Sequence, residues 1–523
     1  MAIGICLAAI LYGCGQSEVS SAQNEVLRRG LGGEPSTLDP AAAADNFSTE
    51  VLRDLYEGLT AESPTGDVVP GVASSWSVDP SGREYTFKLR PDARWSNGQH
   101  VRAQDFVNGM RRVTDPKQGS PVADDLRFLV GASSIIAGKS PVTNLGVYAP
   151  SDDILVLKLE HPVPYLPQLL THAAAYPIYS DASATSHDPT RAITNGAYSL
   201  ASWSPSTSIR LTRNEQYWDH ASVHVPRVEY LLMTDENAQY AAFRAGQIDM
   251  TDTVPPSVVP ALRSRHSPEL VLSPFLATAY YGFNVSKTPF SGNLKLRQAL
   301  TMAIDRKKVV DALAAGQAEA FSFVPPGIAN YRPETWQWKD LSEVERVADA
   351  RRLYAEAGYS VNSPLHLRLL SNSNVGIKNT AIIVASMWKD VLGIDTELLE
   401  EEYRVFLQSR HDKSRWEILR LGWTADYNDA SNFLDAFRQS SENNDEGYAN
   451  PDFDALLDQA AQSEDPQKRR SILETSEKIM LADYPVVPLY FFVSKRLIKS
   501  YVHGLQSNPL NHIASKSLLV EPH

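Results

Sequence analysis

The chain has 523 residues, of which 43% are hydrophobic and 21% are charged, and its formal net charge is −13 at pH 7. A chain of this length exceeds one ordinary hydrophobic core, so we expect two or three lobes, and its composition excludes an intrinsically disordered protein. The acidic balance, without a long basic run, argues against nucleic acid and anionic membrane surfaces as partners.

The N-terminal segment is typical of an exported protein. Residues 2–12 are apolar but too few to span a bilayer, which favours the apolar part of a secretory signal. Leu11-Tyr-Gly-Cys14 resembles a lipobox and predicts lipidation at Cys14; the alternative is an ordinary signal peptide with a chance cysteine. We assign 1–24 to signal, lipobox and tether. The only other cysteine is Cys6, so disulfides and thiolate metal sites are excluded for the rest of the chain.

The first half of the chain predicts short strands mixed with helices. Turn residues lead into 41–55, whose later part has helical spacing. Alternation predicts a half-buried strand over Glu84–Leu89, and 103–113 has the apolar face of a helix. A more apolar strand is expected over 154–159.

Strands return at 208–211 and 228–233. A helix ending at Gly246 is predicted to precede another strand. Residues 294–316 then show a long amphipathic pattern, which predicts a helix closed by Gly316.

Helices dominate most of the remaining chain. We predict them over 342–358 and 378–392, and after Asn450 and Asp465, each a capping residue followed by proline. A strand over 486–493 closes the pattern, so the lobes are predicted to be α/β.

One stretch, 420–427, combines a strand pattern with charge. Its alternation places Gly422, Thr424 and Asp426 on one face, and Arg420 has the same parity. Six residues of strand separate this cation from this anion by roughly 20 Å. The spacing suits a short extended peptide with its ammonium end at Asp426, paired with the strand's free edge. The alternative is an ordinary strand ending in an exposed aspartate.

Catalytic signatures are missing from the sequence. There is no Gly-x-Ser-x-Gly elbow and no His-Glu-x-x-His pair, and the histidines lack metal-ligand spacing. We therefore predict no enzyme, no catalytic residue, no metal and no cofactor.

The segment Gly422-Trp-Thr-Ala-Asp-Tyr-Asn428, with Phe433-Leu434, Tyr448 and Pro451-Asp-Phe-Asp454 after it, resembles the peptide-binding branch of extracellular solute-binding protein family 5. Further landmarks follow in family order over nearly the whole chain: Leu38-Asp39-Pro40, Asp54-Leu-Tyr-Glu-Gly-Leu59, Trp95-Ser-Asn-Gly98, Asn195-Gly-Ala-Tyr198, Gln216-Tyr-Trp-Asp219 and Arg297-Gln-Ala-Leu300.

The resemblance implies an α/β, two-lobed, hinged fold of the type II periplasmic-binding-protein kind with an extra accessory domain. The resemblance implies that lobe I consists of three segments, 25–56, 183–280 and 493–523. The accessory domain is 57–182, and the second main lobe, lobe III, is 281–492.

The resemblance also implies a ligand-binding set. Asp426 falls where the family holds the ligand's amine, and Gly422 and Thr424 fall where backbone pairs with the peptide. Trp423 is either a pocket wall or a core residue. The remaining positions are two cations near the peptide's carboxyl end, an aromatic wall and the tyrosine after the aspartate: Arg420, Arg410, Tyr403 and Tyr427.

Some family positions are missing. The tyrosine near the ligand amine falls at Val122, a histidine near the carboxyl end falls near Ile377, and a lysine falls within 312–315, which is rich in alanine. Fewer cations therefore remain to bind the carboxylate at the end of a peptide. The preferred peptide length and the class of ligand stay open.

The function implied is that of a monomeric extracytoplasmic binding protein, in the periplasm or lipid-anchored at the cell envelope. It would close on short peptides and deliver them to the permease subunits of an ABC transporter whose ATPase is a separate chain. The alternatives are a cell-wall peptide or peptide-like metal complex as ligand, a secreted lipoprotein hydrolase, or a structural envelope protein.

Overall fold

The computed structural model describes residues 26–179, 192–328, 330–360, 364–463 and 465–522. Cys14 and the proposed signal segment lie outside the described residues. None of the helices in these ranges is both long and apolar enough to cross a bilayer.

The first sheet combines the strand nearest the N-terminus with three strands from a segment much later in the chain. Val26–Leu31 pairs in parallel with Arg227–Leu232, which pairs antiparallel with Ser208–Arg213, and Tyr198–Ser204 forms the far edge. The sheet therefore comes from segments assigned to lobe I.

A second four-stranded sheet lies between these segments. Its order is Ala73–Val78, Glu84–Leu89, Ile154–Lys158 and Val147–Ser151, all antiparallel. Buried side chains from this sheet and from the first sheet belong to one continuous hydrophobic cluster that includes Phe87 and Tyr230. The two sheets thus share a core, since removing apolar surface from water favours continuous packing.

The largest sheet has six strands in the part of the chain that is described. In spatial order they are Ala318–Glu319, Val486–Leu497, Leu270–Phe283, Ile418–Thr424, His366–Asn372 and Asp395–Glu401. Separate buried clusters cover its two faces, with Leu419 on one and Ile418 on the other. It belongs to the segment assigned to the second main lobe.

Two long strands, Leu270–Phe283 and Val486–Leu497, join the lobes, and we call them the hinge strands. They pair antiparallel from Leu270 with Leu497 to Gly282 with Val486. At the lobe I end, Thr251 and Leu497 exchange hydrogen bonds. The assigned boundaries at 280/281 and 492/493 fall inside these continuous strands, and the domain boundaries stay a prediction.

Two short ribbons complete the strands of the described ranges. Thr60–Glu62 pairs with Val68–Pro70, and Val502–His503 pairs with Leu519–Val520.

The α-helices in the described ranges cover the sheets and fill the connections. Their bounds are Asn46–Leu55, Ala103–Thr114, Ala132–Ile136, Leu166–Leu169, Glu236–Arg244, Val259–Ser264, Leu294–Ala303, Arg306–Leu313, Glu343–Glu356, Val375–Leu392, Tyr403–Ser409, Ser431–Leu434, Pro451–Gln462 and Pro466–Asp483.

Two predicted elements are wrong. The pattern over 294–316 is two helices, because Ile304 is extended and the Asp305 side chain accepts from the Lys308 amide at 3.1 Å to cap a new helix. No strand forms directly after Gly246 in the described residues 247–269, where Met250 makes only isolated bridges to Arg29 and Ile498.

Candidate functional site

The strand Ile418–Thr424, which we call the cleft strand, is paired unequally on its two sides. The hinge strand Leu270–Phe283 pairs with all of it, from Phe283 opposite Ile418 to Ala277 opposite Thr424. On the other side, His366–Asn372 pairs only with Ile418 and Leu419. Beyond Leu419, no described strand pairs with that edge. The cleft strand therefore has an open edge from Arg420 to Thr424.

Hydrogen-bond direction shows which backbone groups face the open edge. The Ala425 amide donates to the Leu276 carbonyl at 2.8 Å, so the peptide groups of odd-numbered residues point toward the hinge strand. Because these directions alternate along a strand, the N–H and C=O groups of Gly422 and Thr424 point to the open edge. Both residues are exposed, whereas Leu421 is buried.

Asp426 follows the cleft strand and is exposed, and Asn432 holds its conformation. The Asn432 side-chain amide donates to the Asp426 carboxylate at 3.2 Å. Its carbonyl oxygen accepts from the Asp426 amide at 3.3 Å and from the Trp423 indole N–H at 2.9 Å. The carboxylate is thus positioned by one short side chain six residues away. Trp423 itself is half-buried and packs against the second lobe's core.

The accessory segment also reaches Asp426. His172 Nε2 lies 2.7 Å from the Asp426 backbone oxygen, and the N–H is the donor because a carbonyl only accepts. Asp125 is a second carboxylate nearby: burial raises its pKa, His172 opposes this rise, and the charge of Asp426 adds to it. Asp426 and Asp125 thus place two acidic groups at this end of the open edge, which suits a cationic group.

Sequence reasoning missed Asn432 and His172. Asn432 lies just outside the motif that drew attention to Asp426, between Asn428 and Phe433, and a single asparagine gives no signal of its own. His172 is far away in the chain, and only the packing of the accessory segment on the second lobe brings it to the site.

Tyr427 packs against the accessory segment. Its ring stacks on Tyr165 with centroids 4.6 Å apart and planes at 6°. Arg469 lies over the Tyr165 ring at 5.7 Å and donates two hydrogen bonds to Asp429, at 2.6 and 2.8 Å. Burial raises the pKa of Tyr427 well above its usual range. The Tyr427 ring is therefore part of an interlobe contact.

Arg420 lies at the other end of the open edge. One of its terminal nitrogens lies 3.5 Å from where a Cβ on Gly422 would stand, so the guanidinium folds over Gly422. Its other terminal nitrogen lies 3.5 Å from the Tyr490 hydroxyl. No described carboxylate is within ion-pair distance of it. The guanidinium therefore lies level with Gly422, four residues before Asp426, which corresponds to about 13 Å for a fully extended chain.

The other predicted side chains lie on the neighbouring helix and its C-terminal end. The Arg410 Nε lies 3.5 Å from the Asp445 carboxylate, so its charge is partly balanced. Tyr403 is 57% exposed at the start of Tyr403–Ser409. Whether these two side chains reach a ligand stays a prediction.

Comparison with known proteins identifies the family. The model for bacterial extracellular solute-binding proteins, family 5, matches residues 67–445. The chain belongs to this family. It is 36% identical over 517 residues to the periplasmic oligopeptide-binding protein OppA of Salmonella typhimurium, covering 97% of this chain and 94% of that protein.

Solved family 5 structures support the two-lobed type II fold. MppA, a periplasmic murein tripeptide-binding protein in its unliganded open form, matches with a TM-score of 0.86 and 33% identity, covering 95% of this chain and 97% of that one. Haemophilus influenzae OppA in complex with the peptide RPPGFSPFR matches with a TM-score of 0.76 and 32% identity. This match covers 95% of this chain and 99% of that one. Both matches cover nearly the whole of each chain, so the similarity extends over both lobes.

Proposed function

We propose that this protein is the extracytoplasmic peptide-binding component of an ABC importer and captures short peptides between its two lobes. The observation that carries the proposal is the open edge of the cleft strand, with exposed backbone groups at Gly422 and Thr424 and an exposed carboxylate at Asp426. A peptide strand added to this edge gains main-chain hydrogen bonds that do not depend on its sequence. The similarity to OppA over nearly the whole chain supports the same reading.

The charges set the polarity of the bound peptide. Its ammonium group pairs with Asp426, where Asp125 adds negative potential, and its carboxylate pairs with Arg420. Closure removes both ends from water, which is tolerable only when each is paired. Because the Arg420 guanidinium folds over Gly422, four residues before Asp426, the spacing of about 13 Å expected for an extended chain suits peptides of three or four residues. Arg410 and Tyr403 then border the carboxyl end.

The closed protein delivers its ligand to a membrane permease driven by a separate ATPase, and it does not itself catalyse a reaction. Hinge closure is the type of motion known for periplasmic binding proteins. A second candidate ligand is a cell-wall peptide, because MppA, which matches with the TM-score given above, is a murein tripeptide-binding protein.

Calorimetric titration with peptides of two to six residues tests the proposal. We expect saturable binding that is strongest for three or four residues and falls about a hundredfold or more in Asp426→Asn, since removing one partner of a desolvated pair costs several kcal/mol. Acetylating the peptide amine has the same effect. Asp340→Asn, an exposed aspartate of the same lobe, is the matched control and leaves affinity unchanged. Unaltered binding to Asp426→Asn refutes the assigned polarity.

The cellular location is part of the proposal. The relatives are periplasmic or extracellular solute-binding proteins, and a lipid on Cys14 would hold this chain, as a monomer, at the cell envelope. Cys14→Ser then moves the protein from the membrane fraction to the soluble fraction. An unchanged distribution, with no lipid adduct found by mass spectrometry, refutes lipidation.

A further inference from the structure

A pocket lies beside the amine end of the cleft, between lobe I and the accessory segment. It contains about 680 Å³ of space not occupied by protein atoms, part of it open to solvent. Its walls are the end of the helix Asn46–Leu55, the strand Thr60–Glu62, Thr171, Tyr176 and the C-terminal segment 504–518. We call it the tail pocket.

Two carboxylates of the tail pocket already have partners. Glu57 accepts from the Lys516 ammonium at 2.9 Å and from the Trp218 indole at 2.6 Å. Glu62 accepts from His512 Nδ1 at 2.9 Å and from the Thr171 hydroxyl at 3.3 Å. Each acid of the pocket is thus satisfied by a group other than Arg53.

Arg53 is a cation of the tail pocket that pairs with neither of these two carboxylates. Its side chain lines the pocket and is half-buried, yet among the described residues its guanidinium has neither an ion pair nor a hydrogen bond. A guanidinium offers five N–H donors in a planar fork that matches a carboxylate. A half-buried guanidinium without an anion in the protein can therefore bind an anionic group supplied by a ligand.

The field of Arg53 extends across the pocket. Burial and then the charge of Arg53 lower the pKa of His512. The pKa of Glu62 is held well below its usual range by His512 and also by Arg53, against the effect of burial. Both effects show that the charge of Arg53 acts across the pocket, where a low-polarity surrounding strengthens its attraction for an anion.

The tail pocket adjoins the amine site through the chain itself. Thr171 lines the pocket, and the next residue, His172, donates to the Asp426 carbonyl. On the tail side, the Pro509 carbonyl accepts from Leu276, whose own carbonyl binds Ala425 at the end of the cleft strand. A group that extends from the amine end of a bound peptide is thus close to this pocket.

We propose that the tail pocket is a carboxylate-binding site organised by Arg53. Its occupant is either an acidic side chain near the amine end of the peptide or a free small carboxylate. The first source rests on the proposed peptide-binding function, and the second does not.

The test is calorimetry on the full protein with two matched peptide pairs and one free acid. The pairs are Glu-Ala-Ala with Gln-Ala-Ala, and Ala-Glu-Ala with Ala-Gln-Ala, and the free acid is glutarate. In the wild-type protein we expect either one glutamate peptide to bind about tenfold tighter than its glutamine partner, or saturable binding of glutarate, because a charge-assisted bidentate pair is stronger than a neutral hydrogen bond.

The variants assign the effect to the pocket. Arg53→Gln abolishes it, Arg53→Lys retains part of it because the charge stays but the planar fork is lost, and Arg265→Gln, an exposed arginine of lobe I, leaves it intact. A glutamate preference identifies the ligand's own side chain as the occupant, and glutarate binding without such a preference identifies a free acid.

The result that overturns the proposal is equal binding of both partners in each pair together with no binding of glutarate in the wild-type protein. An effect that persists in Arg53→Gln overturns it as well. The wild-type comparison decides even if Arg53→Gln fails to fold. If glutarate binds through Arg53 but no peptide binds, the carboxylate site is supported and the proposed peptide-binding function is refuted. If peptides bind but neither a glutamate side chain nor glutarate has any effect, the peptide-binding function is supported and the carboxylate site is refuted.

Discussion

Glu446 is a buried acid whose ionisation the fold opposes. It is fully buried, and neither carboxylate oxygen has a hydrogen-bond partner within the described ranges. Burial, with a further contribution from Asp445, raises its pKa from 4.5 to about 8. The folded chain therefore keeps a proton that the unfolded chain releases above pH 4.5.

The sign follows from proton linkage. Between the two pKa values the folded state binds more protons, so the free energy of unfolding falls as pH rises and this loss is complete above pH 8. Each pKa unit corresponds to about 1.4 kcal/mol, so the whole loss is on the order of 5 kcal/mol. Between pH 5.5 and 7.5 Glu446 alone accounts for about 2 to 3 kcal/mol.

Glu446→Gln removes this titration while keeping the shape of the protonated side chain. Urea unfolding at several pH values between 5.5 and 8.5 measures it: the wild-type midpoint falls with pH, the variant's midpoint falls less, and the variant is the more stable protein at pH 8. Glu442→Gln, an exposed acid of the same loop, is the control and follows the wild type. If the midpoints of Glu446→Gln and wild type run parallel over this range, Glu446 is not the titrating group and the argument from burial is wrong.

Three further predictions follow from contacts near the site. Gly282→Ala destabilises the protein by about 1 to 3 kcal/mol in urea unfolding, because a Cβ there would stand 2.3 Å from a carboxylate oxygen of Glu446, whose side chain is fully buried and must move. Asn432→Ala lowers peptide affinity several-fold in calorimetry through the loss of its hydrogen bonds to Asp426, while acetylated peptides are unaffected. Tyr165→Ala increases hydrogen exchange in 424–429, since it removes one ring of the interlobe stack; unchanged protection contradicts this.

Local signals predicted the parts of the fold that depend on neighbours in sequence. Asn450 and Asp465 cap their helices through side-chain acceptors, as the capping residue followed by proline indicated. Strand alternation identified the cleft strand because one of its faces is exposed and the other buried. The pattern over 294–316 failed because an amphipathic spacing continues across a break that the capping residue Asp305 makes.

Long-range features had no local signal. The open edge of the cleft strand exists because His366–Asn372 pairs with only its first two residues, and no pattern in either segment shows where pairing stops. The shortened spacing between the charged ends depends on the direction of the Arg420 side chain, which a rotamer and its packing decide. The unpaired state of Arg53 depends on which partners the distant C-terminal segment supplies to its neighbours.

The contacts around Asp426 constrain how the lobes close. Lobe I and the accessory segment share one hydrophobic core, and the accessory segment contacts the second lobe at Asp426 and Tyr427. The proposed amine site at Asp426 is therefore already assembled in this arrangement of the lobes. We therefore propose that a peptide is first held by its amine at Asp426, where these contacts already exist, and is then enclosed at its carboxyl end near Arg420.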